Sequence, residues 1–325
     1  MPTPIAGLHH VTTIASDPQR NLDFYTRVLG LRLVKKTINF DDPGTYHLYF
    51  GDDHGSPGTI LTFFPWPNAV RGTLGAGETA ATAFSVPTAS LGYWRERLQR
   101  FAVPLTETHH FAEDVLRFQD PDGMVLEIVG DAQAKEPVAP RGSDVPAEHS
   151  IRGFYGVTLL VHLEAPTAGV LDTMGLEKTA EEGERKRYST RSGALGSHVD
   201  LLVDPKAARG RLGAGTVHHI AFRAADDAAQ AAWRERLSAH PLEVTPVLDR
   251  TYFHSIYFRE PGGVLFEMAT DPPGFAWDES LETMGESLKL PPWLETRRAA
   301  LETSLPRLTV HPAGDAVVKT EAAGV

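Results

Sequence analysis

Two histidine pairs, His9–His10 and His218–His219, lie in similar apolar runs near opposite ends of a 325-residue chain. The first run reads G-L-H-H-V-T-T-I-A and the second V-H-H-I-A-F. A third group belongs with them: Glu267 in G-G-V-L-F-E-M-A-T-D, just past the turn signal E-P-G-G. An imidazole or carboxylate inside an apolar strand is costly unless something pairs with it. A metal ion held by His10, His219 and Glu267 would pair with all three. Two histidines and a carboxylate with the remaining positions open suit non-haem Fe(II) oxygenases, because substrate and dioxygen can then bind side by side. Mn(II) is compatible with the same donors. Zinc fits less well, although catalytic zinc also uses two histidines, a glutamate and water. A lone buried histidine is ordinarily a hydrogen-bonded core residue. It is the joint occurrence at matching repeat positions that favours a metal.

The elements that must position these groups form a repeat of about 55–65 residues, visible four times. Each unit reads as strand, helix, then several strands. In the first, Ile5 to Pro67, the helix follows Asp17 as cap and Pro18 at its first position. Leu22, Tyr25 and Leu29 share one helix face and Gly30 stops it. The stretches at 31–40, 45–50 and 58–64 then read as strands. The second unit, Ala80 to Asp131, carries W-R-E-R-L at Trp94 to Leu98, repeated at Trp233 to Leu237 in the fourth. The third, Ile151 to Pro205, is the weakest match. These units predict an N-terminal domain over 1–131, a linker rich in Ala, Pro and charge over 132–150, a C-terminal domain over 151–272 and a tail over 273–325. Within the tail, L-P-P-W-L-E-T-R-R-A-A-L reads as a covering helix, and the last dozen residues as flexible.

Aligned on their hairpin turns, Gly58, Gly123 and Gly263 coincide, and so do Thr62, Glu127 and Glu267. Aligned on their first strands, His10, Gly156 and His219 coincide, and the second unit has no histidine there. Only the first and fourth units can therefore build a shared site, with Thr62 at a vacant fourth place. Glu127, without histidine partners, reads as structural.

Strand alternation puts Thr12 on the face of His10 and turns His9 and His218 away. The segment D-R-T-Y-F-H-S-I-Y-F-R-E-P, just before the glutamate strand, holds Arg250, Tyr252, His254 and Tyr257. Tyr257 could give a hydrogen bond or proton to a substrate oxygen, and Arg250 could hold an anionic one. The plainer reading of each is a sheet-surface side chain.

Composition narrows the remaining choices. A net charge of −11 disfavours nucleic acid and anionic membrane as partners. The absence of cysteine removes disulfides, zinc–thiolate sites and cysteine nucleophiles, and is compatible with the cytoplasm. No apolar run approaches the ~18–20 residues of a membrane span, and no signal peptide is evident. Phosphate-cradling glycine loops and nucleophile elbows are absent.

Taken together, the repeat, H-H-V-T, V-H-H-I-A-F and F-R-E-P-G-G-V-L-F-E-M-A-T-D-P-P-G-F resemble the vicinal-oxygen-chelate superfamily from about Ile5 to Trp277. Within it they are most similar to the ring-cleaving dioxygenases of the hydroquinone type, the 2,6-dichlorohydroquinone 1,2-dioxygenases. The resemblance implies an α+β fold of four βαβββ modules in two vicinal-oxygen-chelate domains. It implies Fe(II) on His10, His219 and Glu267, with Thr12, His9, His218, Arg250 and Tyr257 around the reaction. The expected activity is Fe(II)-dependent cleavage of a hydroquinone-type or catechol-type ring by dioxygen, in a protein compatible with homo-oligomers. A glyoxalase-like isomerase or lyase would want a fourth protein ligand where this chain has Thr62. A metal-free binding or resistance protein of the same fold would not need the His-His-Glu set.

Overall fold

The computed structural model describes residues 4–136 and 140–311. The segment expected to be flexible at the C-terminus lies outside them. Each repeat folds as a strand, a helix and three strands. The first comprises β1 (Leu8–Ala15), α1 (Pro18–Asp23), β2 (Arg32–Ile38), β3 (Tyr46–Gly51) and β4 (Ile60–Pro65). The second comprises β5 (Glu78–Pro87), α2 (Leu91–Arg100), β6 (Leu105–His110), β7 (Glu113–Gln119) and β8 (Val125–Asp131). The third comprises β9 (Gly153–Val161), α3 (Glu164–Thr173), β10 (Glu177–Glu182), β11 (Arg185–Ser189) and β12 (His198–Val203). The fourth comprises β13 (Val217–Ala224), α4 (Asp227–Ser238), β14 (Leu248–Asp249), β15 (Phe253–Arg259) and β16 (Leu265–Pro273).

Local chemistry explains the first helix. The Asp17 carboxylate accepts the Arg20 backbone N–H at 2.8 Å, and Pro18 fits the first turn. Beyond Asp23 the helix widens into a π-turn over Phe24–Val28 rather than continuing regularly. Gly30, at φ 68°, then reverses the chain in a conformation glycine tolerates best. Leu22, Tyr25 and Leu29 are buried, as their spacing requires.

The strands form two curled eight-stranded sheets, ordered β14-β15-β16-β13-β1-β4-β3-β2 and β10-β11-β12-β9-β5-β8-β7-β6. The first sheet joins the first module to the fourth, and the second joins the second module to the third. The sheets thus combine modules across the boundary between 1–131 and 151–272. At each centre the opening strands pair antiparallel, β1 with β13 and β5 with β9. Within each module the first and last strands pair parallel, so every sheet has an approximate internal twofold.

The repeated turns tie the sheets to each other. Asp120 accepts the N–H groups of Asp122 and Met124 at 2.9 and 2.8 Å and the Tyr25 hydroxyl at 3.0 Å. Glu260 does the same with Gly262 and Val264 at 2.7 and 2.8 Å and the Thr167 hydroxyl at 2.7 Å. In both cases the hydroxyl belongs to a module of the other sheet. Arg97 of α2, fully buried, caps the end of the first helix by donating to the carbonyls of Arg27 and Val28, both at 2.7 Å.

The tail covers the exposed edge of β2. Lys36 bridges Leu288, and Arg32 and Thr37 donate to the carbonyls of Leu281 and Lys289 at 2.6 and 2.7 Å. The Lys289 N–H also donates to the Lys36 carbonyl at 2.9 Å, satisfying a backbone group of an edge that could otherwise template aggregation. The expected covering helix is short, α5 (Arg298–Ser304), entered through a 3-10 turn over Pro292–Arg297. Phe275 and Met284 of the tail pack with Tyr49 and Tyr252 on the face of the first sheet that carries His10 and Glu267. Among the described residues no helix is long and apolar enough to cross a membrane.

Candidate active site

The antiparallel seam between β1 and β13 brings the chain's two ends together. On β1, His10 pairs with Ala221; on β13, His219 pairs with Thr12. Parallel pairing to β13 sets Glu267 of β16 opposite Ala221. The donor atoms of His10, His219 and Glu267 converge within 4.8 Å of one another, and all three residues are buried. His10 Nε2 lies 3.2 Å and His219 Nε2 2.8 Å from Glu267 Oε2. Two ligands ~2.1 Å from an ion and at right angles to each other lie about 3.0 Å apart, so this spacing suits adjacent places on one ion. Oε2 is buried with no hydrogen bond among the described residues, while the other oxygen accepts from Ser255.

Protonation is set for the same purpose. Burial alone would push the Glu267 carboxyl up, but His10 and His219 outweigh it and hold it well below the usual carboxylate range. Burial depresses the His219 imidazole, against the pull of Glu267. Binding a cation calls for an ionised carboxylate and for imidazole nitrogens free to offer their lone pairs.

His9 and His218 do not turn away as alternation predicts. The register of the seam slips between Leu8 and His10 and again between His219 and Val217, leaving His9 and His218 as bulge residues on opposite strands. Each bulge brings the Nδ1 atoms of a pair together, at 2.9 Å for His9 and His10 and 2.7 Å for His218 and His219. With a cation on the Nε2 lone pairs of His10 and His219, the proton of each would sit on Nδ1 and be donated to the neighbouring ring. Burial and the adjacent histidine hold His9 well below its ordinary value and bring His218 to about 3, so both can accept that proton as neutral rings. Such outer partners fix tautomer and ring orientation at metal centres.

Over the cluster lies a cavity of about 410 Å³, within the range of small-molecule pockets. Its walls include Phe40, His47, Tyr49, Phe64, Trp66, Phe253 and Leu265, with Arg250 and Tyr257. Tyr257 pairs across the hairpin with Glu267, as the E-P-G-G turn requires. Thr251, at φ 70°, makes the tight turn that folds Arg250 back. Arg250 stacks over the Tyr257 ring at 5.5 Å and donates to its hydroxyl at 3.3 Å. Its far end reaches Asp41 at 3.2 Å across the cavity mouth. Burial, with Glu267 nearby, pushes the Tyr257 phenol up, so it is protonated at neutral pH. His254 instead faces outward to Asp227 at 2.6 Å, and Tyr252 bonds to Asp278 of the tail at 3.0 Å.

Sequence reasoning missed the residues around Thr62. His47 Nε2 lies 2.8 Å from Thr62 Oγ1, which donates to Thr12 Oγ1 at 2.9 Å; His47 Nδ1 lies 2.8 Å from the Tyr49 hydroxyl. The signal was available: T-Y-H-L-Y-F alternates His47 and Tyr49 onto one face, and Tyr49 pairs with Thr62 as Tyr257 pairs with Glu267. The second sheet shows the same register with different occupants. Arg117 pairs with Glu127 and forms its ion pair. Arg187 pairs with Asp200 and grips both its oxygens at 2.8 and 3.0 Å.

Comparison with known proteins agrees with this geometry. Residues 7–128 and 166–268 match the model of the Glyoxalase/Bleomycin resistance protein/Dioxygenase superfamily. The chain is 50% identical over 300 residues, 92% of its length and 95% of the relative's, to "Putative ring-cleaving dioxygenase MhqO" of Bacillus subtilis (strain 168). It is 37% identical over 308 residues, 91% of its length and 94% of the relative's, to chlorohydroquinone/hydroquinone 1,2-dioxygenase of Sphingobium indicum. A crystal structure described as a dioxygenase from Bacillus subtilis superposes with a TM-score of 0.92 at 48% identity, covering 95% of this chain and 99% of that one. With its four modules, its seam of paired histidines and these relatives over nearly its full length, the chain belongs to the Glyoxalase/Bleomycin resistance protein/Dioxygenase superfamily.

Proposed function

We propose that the protein is an Fe(II)-dependent dioxygenase that cleaves the ring of a hydroquinone-type or catechol-type substrate, with Fe(II) held by His10, His219 and Glu267. Mn(II) fits the same donors. The observation that carries the reading is the buried, unbonded Glu267 Oε2 facing two imidazole nitrogens beneath an aromatic-walled cavity. When bound, the metal supplies the redox and Lewis-acid chemistry by which dioxygen reacts with the ring, both oxygen atoms entering the product.

The chain's own residues supply orientation and proton control. Phe64, Trp66 and Phe253 offer ring faces and exclude water. Arg250 places a fixed positive charge beside Tyr257, where an anionic substrate oxygen would be stabilised. The Tyr257 oxygen accepts from Arg250, leaving its proton for the substrate or an oxygen-bearing intermediate. His9 and His218 hold the ligand tautomers, and Thr12, braced by Thr62, shares the face of His10. A glyoxalase-like isomerase loses support from Thr62, whose hydroxyl is committed to Thr12 and His47 where a fourth ligand would be needed. A metal-free binding protein would leave Glu267 Oε2 with no partner at all. Oxygen consumption by iron-loaded protein against hydroquinones and catechols tests the reading; no uptake with any of them would overturn it.

A further inference from the structure

The approximate twofold of the first sheet relates Tyr49 to Tyr257. Each pairs, one strand out, with the residue at the carboxylate position of its module: Tyr49 with Thr62 and Tyr257 with Glu267. Tyr49 is buried, Tyr257 is half-buried, and both line the cavity. Two residues before each stands the side chain that binds that position, His47 to Thr62 and Ser255 to Glu267.

The hydrogen-bond chain on the Tyr49 side has a direction. The Thr62 hydroxyl gives its proton to Thr12, so Thr62 Oγ1 receives one from His47 Nε2–H. His47 is neutral, because burial and the nearby His10 and His219 depress it. Its Nδ1 therefore bears a lone pair and takes the Tyr49 proton. The Tyr49 oxygen is left with lone pairs only. On the other side Arg250 donates to the Tyr257 oxygen, and among the described residues nothing takes the Tyr257 proton. The two phenols thus have opposite hydrogen-bond polarity.

We propose that Tyr49, fixed by His47, is a second substrate-contacting phenol that accepts a hydrogen bond from a free ring hydroxyl, while Tyr257 donates to the oxygen at the reacting end. The pocket then selects rings that keep a second, unmodified hydroxyl. This rests on the dihydroxylated-ring reading above and adds a specificity residue to it.

The test is calorimetric titration of Mn(II)-loaded protein without oxygen, using hydroquinone and 4-methoxyphenol, which carries an ether where hydroquinone has its second hydroxyl. Wild type should bind hydroquinone more tightly by ~3- to 10-fold, the span of one net hydrogen bond. Tyr49→Phe should bind the two equally. His47→Phe frees the Tyr49 proton to meet the ether, so the preference should vanish or reverse. A purely structural role would weaken both ligands alike. Tyr49→Phe that keeps the wild-type preference overturns the inference, while wild-type turnover of hydroquinone leaves the dioxygenase reading standing. Wild type that neither binds hydroquinone nor consumes oxygen with it overturns both. Tyr49→Phe removes a single oxygen and decides the matter alone should His47→Phe fail to fold.

Discussion

Replacing Glu267 by glutamine should stabilise the metal-free protein while destroying its metal site. Without metal, three lone-pair-bearing atoms face one another: His10 Nε2, His219 Nε2 and Glu267 Oε2, at 3.2 and 2.8 Å from the carboxylate. In the tautomers that leave both Nε2 atoms free for a cation, the imidazole protons are directed at His9 and His218 and no hydrogen lies between the three atoms. A glutamine amide nitrogen at the position of Oε2 offers two N–H donors, one for each ring, and its carbonyl can still accept from Ser255. Two hydrogen bonds at ~0.5–1.5 kcal/mol each, plus relief of an unsatisfied buried anion at ~1–3 kcal/mol, give a gain of roughly 2–6 kcal/mol. At ~2–4 °C per kcal/mol, metal-free Glu267→Gln should melt roughly 4–24 °C above metal-free wild type. Added Mn(II) should raise the wild-type melting temperature and leave the variant nearly unmoved. Scanning calorimetry with chelator and with Mn(II) makes both measurements. A metal-free variant melting at or below wild type would refute the claim that these atoms are arranged for a cation.

Other perturbations separate the remaining roles. His218→Phe keeps a ring but removes the acceptor that fixes His219, so metal affinity should fall by ~10–100-fold in a competition titration. Tyr257→Phe should keep its metal and lower turnover by at least ~10-fold in oxygen-uptake assays. Glu127→Gln should leave metal content unchanged, since Arg117 already neutralises that carboxylate. Burial raises Asp120 from 3.8 to about 6, so its contribution is present below pH ~4 and is lost as pH rises through about 6. Asp120→Asn should therefore gain on wild type by about 3 kcal/mol between pH 4 and 7, read as the difference between their unfolding curves.

The three metal-donor candidates were legible because repetition marks them. His10 and His219 recur in matching strands, and Glu267 falls where Thr62 and Glu127 fall. That same comparison pairs the first module with the fourth, which the sheet order bears out. Contiguous halves, by contrast, suggest nothing of a sheet built across them. His9 and His218 were misread because alternation assumes regular pairing, and a bulge in each strand breaks it at the residue concerned. Nothing in H-H-V or H-H-I announces a bulge; it arises from how two strands meet. His47 was missed because its partner Thr62 lies on a neighbouring strand and carries no charge to draw attention to it.

The two sheets share one register and differ in what occupies it. At the place opposite the carboxylate position, the second sheet has Arg117 and Arg187, and the first has Tyr49 and Tyr257. In the second sheet a guanidinium answers each of Glu127 and Asp200, so the concave face is filled by ion pairs. In the first, a phenol cannot neutralise Glu267, and among the described residues no lysine or arginine is bonded to it. Arg250, the cation of the cavity wall, is engaged with Tyr257 and Asp41 instead. A buried carboxylate kept ionised without a protein cation is unstable unless something else brings the charge. Substituting tyrosine for arginine at that place, together with histidine in the opening strand, therefore turns a self-neutralised scaffold into one that demands a cation and leaves room above it for a ring. On this view the activity depends less on the fold, which both sheets have, than on which side of one register position the positive charge comes from.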